Sequence, residues 1–327
     1  MWFEEIESVR HAAARLIGAS PREIAFLKNT SEGISLVAEG FPWCGGDNVV
    51  IVADDYPANI YPWMHLKGRG VTVRTIVVTN GGVSVEDIAE AVDERTRLIS
   101  INHVHFATGF RADLASIGCF CQAHGIELFV DAIQGLGVFP IDVKAMKIDY
   151  LCANSQKWLL APQGAAVFYI DETNIEKIRP ISVGWKSVVD PHNYSRIDFR
   201  LREDAARFEC GSFVIPSIVA LGGSLSLLQE IGISVIQDRV EDTTNYLVQK
   251  LQDMGTNVTS VRDGESWSGI VTFELPNIDS NLVVTHCRDR QVVISCRGDR
   301  IRVSPHFYNT CDDIDRLIAV LRTPQPV

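Results

Sequence analysis

The sequence predicts an α/β protein with a mainly parallel sheet in a large domain, followed by a smaller α+β domain. Two patterns predict it. Short apolar runs alternate with helical segments through the first half of the chain, and long helical patterns followed by short strands fill the second half. The 327 residues suffice for both domains, and 46% hydrophobic with 22% charged residues is ordinary for a globular chain.

The first half reads as strands and helices in alternation. Its start, MWFEEIESVRHAAARLIGAS, is helical in pattern. Such alternation places helices on both faces of a parallel sheet, and ligands then bind at the carboxyl ends of the strands. The predicted strand and helix segments, in order, are EIAFL and SEGISLVAEG, NVVIVA and NIYPWMHLKG, VTVRTIVV and SVEDIAEAV, RLISI and DLASIGCFCQAHG, and finally the strand IELFV.

The second half completes the large domain and begins the small one. IDYLCA and GAAVFYI predict two more strands, and the stretch from about Arg179 to Arg207 predicts irregular structure. We predict a large domain over 1–215, and a connecting helix with a small domain over 216–327. The elements predicted after Pro216 are the helices IVALGGSLSLLQEIG and SVIQDRVEDTTNYLVQKLQDMG, the strand VTFEL, a helix from Leu282 to Arg288, the strands QVVIS and IRVS, and a last helix from Thr310.

Charge and composition exclude several classes of protein. The net charge of −11 leaves no basic stripe for a phosphate backbone, so no nucleic-acid partner is expected. No apolar run reaches the roughly 20 residues of a membrane helix, and the acidic start lacks the features of a secretory signal. We therefore expect a cytoplasmic protein without a membrane partner.

The cysteines and histidines do not predict a metal site. The eight cysteines form no paired CxxC set, so we expect reduced and mostly buried thiols. His103 and His105 end the strand that precedes IELFV, but no third ligand has a sensible spacing. We take His103 as a pocket residue and leave His105 undecided.

A lysine, a carboxylate and a helix start together suggest one cofactor. Asp131 ends the strand IELFV and is followed by Gln134, and Lys157 follows the next strand, so these side chains can share one crevice. Thr30 and Ser31 begin a helix, where they either cap it or cradle a phosphate. Pyridoxal 5′-phosphate (PLP) needs a lysine for its Schiff base, a carboxylate for its ring nitrogen and a phosphate site.

Six ordered stretches resemble the class V aminotransferases, the PLP-dependent family that includes cysteine desulfurases and isopenicillin N epimerase-like proteins. The match is collinear from about residue 20 to residue 320. It implies fold type I of the PLP-dependent transferases, with a sheet of the seven-stranded type in the large domain. The six stretches are NTSEGISLVAEG, DYPANIYPW, VDAIQGLGVFPIDV, NSQKWLLAPQGAAVF, RFECGS and RIRVSPHFYNT.

The resemblance implies a role for each matching residue. Lys157 would hold the cofactor and move protons, while Asp131 and Gln134 would bind the pyridine nitrogen and the phenolic oxygen. Tyr56 matches an aromatic or histidine ring over the cofactor. The matches to the phosphate-binding residues are Thr30, Ser31, Asn154 and Gln156.

Two further roles follow from the same resemblance. Ser212 matches a residue that reaches the phosphate of a neighbouring subunit, which implies a homodimer with shared active sites. Arg302 matches the arginine that binds the substrate carboxylate, a role that suits the fork of donors on a guanidinium.

The chain also departs from the family pattern. Many relatives have histidine in place of Gln156, and desulfurases have a substrate-binding asparagine in place of Phe106. Desulfurases also carry a persulfide-forming cysteine on a loop between two arginines, which correspond here to Arg297 and Arg302, and Cys296 does not match that cysteine. Relatives usually carry an additional N-terminal segment that folds over the active site, whereas Met1 lies close to the first shared helix. We therefore expect a shortened segment with a more open pocket, or a start that is not the biological one.

The sequence thus predicts a PLP-dependent enzyme that acts on an amino acid through an external aldimine and a quinonoid. The first hypothesis is an aminotransferase, lyase or epimerase of the isopenicillin N epimerase-like branch. The alternatives are a cysteine desulfurase or cysteine lyase and, in another class, a non-catalytic binding protein with this fold. A dehydrogenase is excluded because no GxGxxG follows the first strand.

Overall fold

A computed structural model describes residues 2–78 and 81–323. Among these residues the backbone contacts define two compact units. One comprises residues 2–78, 83–103 and 113–231, and the other comprises 81–82, 104–112 and 232–323. The predicted division between residues 215 and 216 stays a prediction.

The first unit is built on a seven-stranded sheet. Its spatial order is β1-β7-β6-β5-β4-β2-β3, and only β7 runs against the other six strands, as its antiparallel pairing with β1 and β6 shows. The mainly parallel sheet predicted from the alternation is therefore confirmed. The strands are β1 (Ile24–Leu27), β2 (Asn48–Val52), β3 (Thr72–Ile76), β4 (Thr96–Asn102), β5 (Glu127–Asp131), β6 (Tyr150–Asn154) and β7 (Ala166–Ile170).

Most helices of this unit pack on the sheet with their buried apolar residues, and the last one packs chiefly on the first. A buried cluster of side chains from α2, β2, β6 and β7 forms the core on one face. A Cβ on Gly33 would lie 2.6 Å from Cys152 Sγ, so the glycine lets α2 lie close against β6. The helices of this unit are α1 (Trp2–Leu16), α2 (Thr30–Gly40), α3 (Tyr61–His65), α4 (Val85–Ala91), α5 (Leu114–His124) and α6 (Ile215–Ile231).

The second unit has a four-stranded antiparallel sheet in the order β10-β11-β9-β8. Its helices pack on one another and on the sheet around a separate apolar cluster that includes Phe273, Ile301 and Leu317. The elements are α7 (Ile233–Asp253), β8 (Asn257–Val258), β9 (Val271–Glu274), α8 (Ser280–Asp289), β10 (Ser295–Arg297), β11 (Arg300–Val303) and α9 (Cys311–Arg322).

Two expectations need correction. The predicted strand QVVIS is mostly irregular: Gln291 has a left-handed φ of 61° and ends α8 with a turn, so pairing begins only at Ser295. The cysteines are reduced, but only Cys121, Cys152 and Cys287 are buried. The thiols of Cys44, Cys119 and Cys311 are exposed because they lie in a loop or on the outer faces of helices.

Within the described residues, no single helix has both the length and the apolar composition needed to span a bilayer. Among the helices that the structure describes, α6 and α7 meet the two criteria when they are counted together.

Candidate active site

The predicted site residues of the first unit lie at the carboxyl edge of the sheet. Asn102, Asp131 and Asn154 are the last residues of the parallel strands β4, β5 and β6. Asn102 is paired with Asp131, and Asp131 with Cys152. Because the carboxyl ends of parallel strands meet at one edge, the side chains that follow them face a common crevice.

Asp131 is a buried carboxylate held by two N–H donors. It is 3% exposed. The Ile133 N–H donates to Oδ1 at 2.9 Å, and Asn59 Nδ2 donates to Oδ2 at 3.2 Å. Burial, which disfavours the charged form, raises the pKa of Asp131 to about 7. Because burial disfavours its charged form, the Asp131 carboxylate is stabilised by a cationic partner, and a protonated ring nitrogen is such a partner.

Gln134 has its amide oriented by Trp158. The indole Nε1–H donates to Gln134 Oε1 at 3.1 Å, and both side chains are buried. Since the oxygen accepts this bond, Gln134 Nε2 is left as the donor end of the amide. That orientation fits the predicted role of donating to an oxyanion on the cofactor.

Lys157 projects from a compact turn after β6. Ser155 N donates to Ala165 O at 3.0 Å, and Leu160, with a left-handed φ of 56°, donates to Lys157 O at 3.1 Å. The Lys157 side chain is half-buried, and its Nζ lies 5.9 Å from the centroid of the Tyr56 ring. The structure therefore brings Tyr56 and Lys157 together, with half of the Tyr56 surface exposed.

The predicted phosphate residues lie where α2 begins. Thr30 and Asn154 bind each other: the Thr30 N–H and hydroxyl both donate to Asn154 Oδ1, and Asn154 N donates back to Thr30 Oγ1 at 3.1 Å. This contact fixes the first turn of α2 against the end of β6, while Asn29 caps the helix by accepting from Glu32 N. Ser31 is exposed at the same helix start.

Gln156 is half-buried beside Lys157. Among the described residues, its Oε1 is buried and has no hydrogen-bond partner. A buried acceptor without a donor carries a desolvation cost, which a bound group with an O–H or N–H can remove.

His103 is a buried residue at the end of β4, whereas His105 belongs to a turn of the second unit. The His103 backbone N–H donates to Asp131 O at 2.9 Å, and its ring lies 5.7 Å from that of Phe139. A Cβ on Gly135 would lie 2.2 Å from His103 Nδ1, so only glycine fits beneath this ring. His105 Nδ1 accepts from Thr108 N at 3.1 Å.

Arg302 lies on β11 of the second unit. Its NH1 group donates to Phe106 O at 2.8 Å, and its Nε donates to Ser295 Oγ at 3.2 Å. Burial and the nearby Arg297 lower the pKa of the Arg302 guanidinium to about 10. Ser212 is exposed on a loop of the first unit, and its predicted contact with a second subunit stays a prediction.

Three site residues were missed by the sequence reasoning. Asp55 and Asn59 lie in the quoted stretch DYPANIYPW, and Asn102 ends β4. Asn59 Nδ2 donates to Asp55 Oδ2 at 3.1 Å, and Asn102 Nδ2 donates to Asp55 Oδ1. A signal was available for Asn102, a polar residue at a strand end like Asp131, whereas the contacts of Asp55 and Asn59 depend on which strands are neighbours in the sheet.

The polar groups at this edge fit PLP. A lysine, a buried carboxylate of raised proton affinity and an amide donor are the groups that its aldehyde, ring nitrogen and phenolic oxygen require. The start of α2 is the positive end of a helix dipole, which favours a phosphate, and Ser31 is exposed there.

Curated proteins of similar sequence cover nearly the whole chain. A probable cysteine desulfurase from Methanothermobacter thermautotrophicus is 30% identical over 96% of this chain and 82% of its own length. The uncharacterized aminotransferase YcbU of Bacillus subtilis is also 30% identical, with the same two coverages.

Solved structures share the fold. The apo structure of a cysteine desulfurase from Thermococcus onnurineus NA1 has a TM-score of 0.91 at 23% identity, covering 98% of this chain and 84% of that one. The complex of the cystine C–S lyase C-DES with its reaction product cysteine persulfide has a TM-score of 0.91 at 24% identity, covering 99% and 88%. The predicted fold class is confirmed.

The sequence model described as Aminotransferase class-V matches residues 2–317. With the 30% identity to curated relatives, this match confirms the predicted family, the enzyme and its PLP cofactor. The chain belongs to the aminotransferase class-V family of PLP-dependent enzymes.

Proposed function

We propose that this enzyme is a β-lyase that cleaves the C–S bond of a sulfur-containing amino acid without forming a persulfide on one of its own cysteines. Relatives named cysteine desulfurase and a neighbour named cystine C–S lyase support sulfur chemistry. The isopenicillin N epimerase-like branch stays a prediction, since these names do not favour it.

The observation that carries this proposal is the short connection between β10 and β11. Arg297 pairs directly with Arg300, so only Gly298 and Asp299 link the two strands. Two residues span at most about 7 Å, too little for a loop that carries a cysteine to a distant substrate. Cys296 lies on β10 itself, where its thiol donates to Asn281 Oδ1 at 3.3 Å.

The residues at the sheet edge supply the groups that an elimination needs. When bound, PLP supplies an electron sink that stabilises negative charge at the substrate Cα. In this proposal Lys157 would take the proton from Cα, and the Cβ–S bond would break with its electron pair going to sulfur. Water would then hydrolyse the released three-carbon enamine to pyruvate and ammonia. Asp131 would hold the protonated ring nitrogen, and Gln134 Nε2 would donate to the phenolic oxygen.

Arg302 orients the substrate by its carboxylate in the same proposal. The guanidinium is already positioned by Phe106 O and Ser295 Oγ, which limits its rotamers. Phe106 offers a phenyl ring where desulfurases have an amide. A phenyl ring cannot donate a hydrogen bond, so the substrate pocket differs from theirs.

Product analysis of the holoenzyme tests this function. Incubation with L-cystine is expected to give pyruvate, ammonia and cysteine persulfide in equal amounts, and Cys296→Ala is expected to be as active as the wild type. Formation of alanine from L-cysteine, dependent on Cys296, would instead identify a desulfurase. Conversion of an oxo acid to an amino acid with no ammonia would identify an aminotransferase.

A further inference from the structure

A second buried carboxylate lies behind Asp131 at the carboxyl edge. Asp55 follows β2 and is 5% exposed, and Asp131 ends β5 and is 3% exposed. The side-chain amide of Asn59 lies between them, with Nδ2 donating to Asp55 Oδ2 at 3.1 Å and to Asp131 Oδ2 at 3.2 Å. The two hydrogens of one amide group thus bridge two carboxylates from different strands.

The donors around Asp55 define it as an acceptor. Its Oδ1 accepts from Asn102 Nδ2 and from the Tyr56 backbone N–H, and its Oδ2 accepts from Asn59. Three N–H donors on one carboxyl group fit the ionised form, which accepts at both oxygens. Asp55 therefore places a negative charge in the wall of the crevice.

The orientation of Asn59 follows from the same contacts. Its Nδ2 faces two carboxylates, whereas its Oδ1 is buried and has no partner among the described residues. The reverse orientation would direct the amide oxygen at carboxylate oxygens. The bridge thus determines which end of the amide meets Asp131, at the expense of one unsatisfied oxygen.

Other titratable groups also face Asp131. Burial raises the pKa of the Cys152 thiol on β6 well above its usual value, so that group stays neutral. The charge of Lys157 lowers the pKa of Asp131 and that of Asp55 raises it, while burial outweighs both. His103 contacts Asp131 through its backbone N–H. Asp55 is thus the negative group that increases the basicity of Asp131.

We propose that Asp55 is a positioning residue which, through the Asn59 amide, holds the Asp131 carboxylate and keeps the pyridine nitrogen of bound PLP protonated. The negative charge behind Asp131 stabilises the cationic ring nitrogen and so opposes loss of its proton to solvent. The amide bridge fixes the carboxylate oxygen that is not bound by Ile133. This inference rests on the predicted role of Asp131 and is independent of the substrate.

The experiment follows the ring nitrogen directly. Wild-type enzyme and variants are loaded with PLP labelled with ¹⁵N at the ring, and the ¹⁵N chemical shift is recorded from pH 6 to 9. Asp55→Asn and Asp55→Ser both remove the negative charge, but the two new side chains contact the Asn59 amide differently. A change in the ¹⁵N shift that both variants share is therefore due to the lost charge. The matched control is Asp54→Asn, since Asp54 is the exposed neighbour in the chain.

We expect the wild type and Asp54→Asn to keep the nitrogen protonated throughout this range. Both Asp55 variants are expected to lose the proton within it and to bind PLP about tenfold more weakly, the equivalent of one pKa unit. Thermal unfolding of each apoprotein checks that the variant is folded.

Asp131→Asn, measured in the same way, distinguishes a wrong role for Asp131 from a wrong role for Asp55. If Asp131→Asn also keeps the nitrogen protonated, the predicted role of Asp131 is wrong and the inference fails with it. If Asp131→Asn loses the proton while both folded Asp55 variants titrate like the wild type, Asp131 keeps its role and Asp55 has none.

Discussion

The two edges of the seven-stranded sheet each hold a partly or fully buried aspartate, Asp171 and Asp131, whose pKa values are shifted in opposite directions. At the amino edge, Lys144 Nζ donates to Glu23 and, at 2.7 Å, to Asp171. Although burial works against it, hydrogen bonds from Lys144 and Thr173 lower the pKa of Asp171 to about 2. At the carboxyl edge, Asp131 is held by an amide and a backbone N–H, and burial raises its pKa to about 7.

The ion-paired carboxylates of the amino edge stabilise the fold, whereas the carboxyl edge, where Asp131 has no such ion pair among the described residues, is the edge suited to chemistry. A raised pKa alone does not distinguish them, because burial also raises the pKa of Asp149 at the amino edge to about 6. What distinguishes the carboxyl edge is a pair of buried carboxylates bridged by one amide, close to a lysine. Such an arrangement is costly in the apoprotein, and a cationic ring nitrogen relieves the cost.

The largest expected effect is on kcat, and it distinguishes Lys157 at the carboxyl edge from Lys144 at the amino edge. Lys157→Ala removes the nucleophile and the proton carrier, so we expect kcat to fall by roughly 10⁴-fold or more. Lys144→Ala is expected to keep wild-type kcat but to lower the free energy of unfolding by about 1–2 kcal/mol, because the buried Glu23 loses its cationic partner and keeps only backbone donors. Steady-state kinetics measures kcat, and denaturant unfolding measures the free energy of unfolding. A Lys144 variant with impaired kcat but normal stability would contradict the assignment of the edges.

The second prediction concerns the pH dependence of apoprotein stability. Asp131 has a pKa of about 7 when folded against 3.8 for an ordinary aspartate, so between these values the folded state binds a proton that unfolding releases. This group therefore makes the apoprotein less stable as pH rises from about 4 to 7. Asp149 contributes with the same sign.

Asp131→Asn removes the free-energy cost of burying the ionised carboxylate. We expect the variant apoprotein to exceed the wild type in free energy of unfolding by about 2–4 kcal/mol above pH 7, with no difference near pH 4. Asp171→Asn, at the other edge, should be destabilised at pH 7, since the pKa of Asp171 is lowered. Urea unfolding of both apoproteins from pH 4 to above pH 7 measures this difference. If the free energy of unfolding of Asp131→Asn varies with pH as that of the wild type does, the raised pKa of Asp131 is not its cause.

Much of this could be predicted from the sequence, because the signals were local. The apolar runs NVVIVA and IELFV became β2 and β5, and the polar residues after strands pointed to Asp131 and Lys157. Asp55, Asn59 and Asn102 were missed because their relation depends on which strands are neighbours in the sheet. The strand predicted at QVVIS failed because the turn at Gln291 and the pairing with β11 override the local preference of valine.

A third prediction concerns the packing of the His103 ring on Gly135. Gly135→Ala adds a methyl group that would lie 2.2 Å from His103 Nδ1, so the ring must move. We expect PLP binding to weaken by roughly 10- to 100-fold and stability to fall by about 1–3 kcal/mol. The control is Gly223→Ala in α6, where an added Cβ meets nothing within 4 Å and should stabilise the helix. Unchanged PLP affinity in Gly135→Ala would place His103 outside the cofactor site.

The smallest expected effect concerns the second unit. Arg302→Lys keeps the positive charge but loses the guanidinium fork, so we expect KM to rise about tenfold with a smaller change in kcat. Arg300→Lys is the matched control, because Arg300 lies on the same strand and pairs with Glu274. Equal KM values for the two variants would remove Arg302 from substrate binding.

The central claim is that PLP is attached to Lys157 at the carboxyl edge of the sheet. Borohydride reduction of the holoenzyme, proteolysis and mass spectrometry test it most directly, because reduction makes the lysine–cofactor bond permanent. We expect one modified peptide, the one that contains NSQKWLLAP, with the added mass on Lys157. Modification of another lysine instead, or no modification of a protein saturated with PLP, would contradict it.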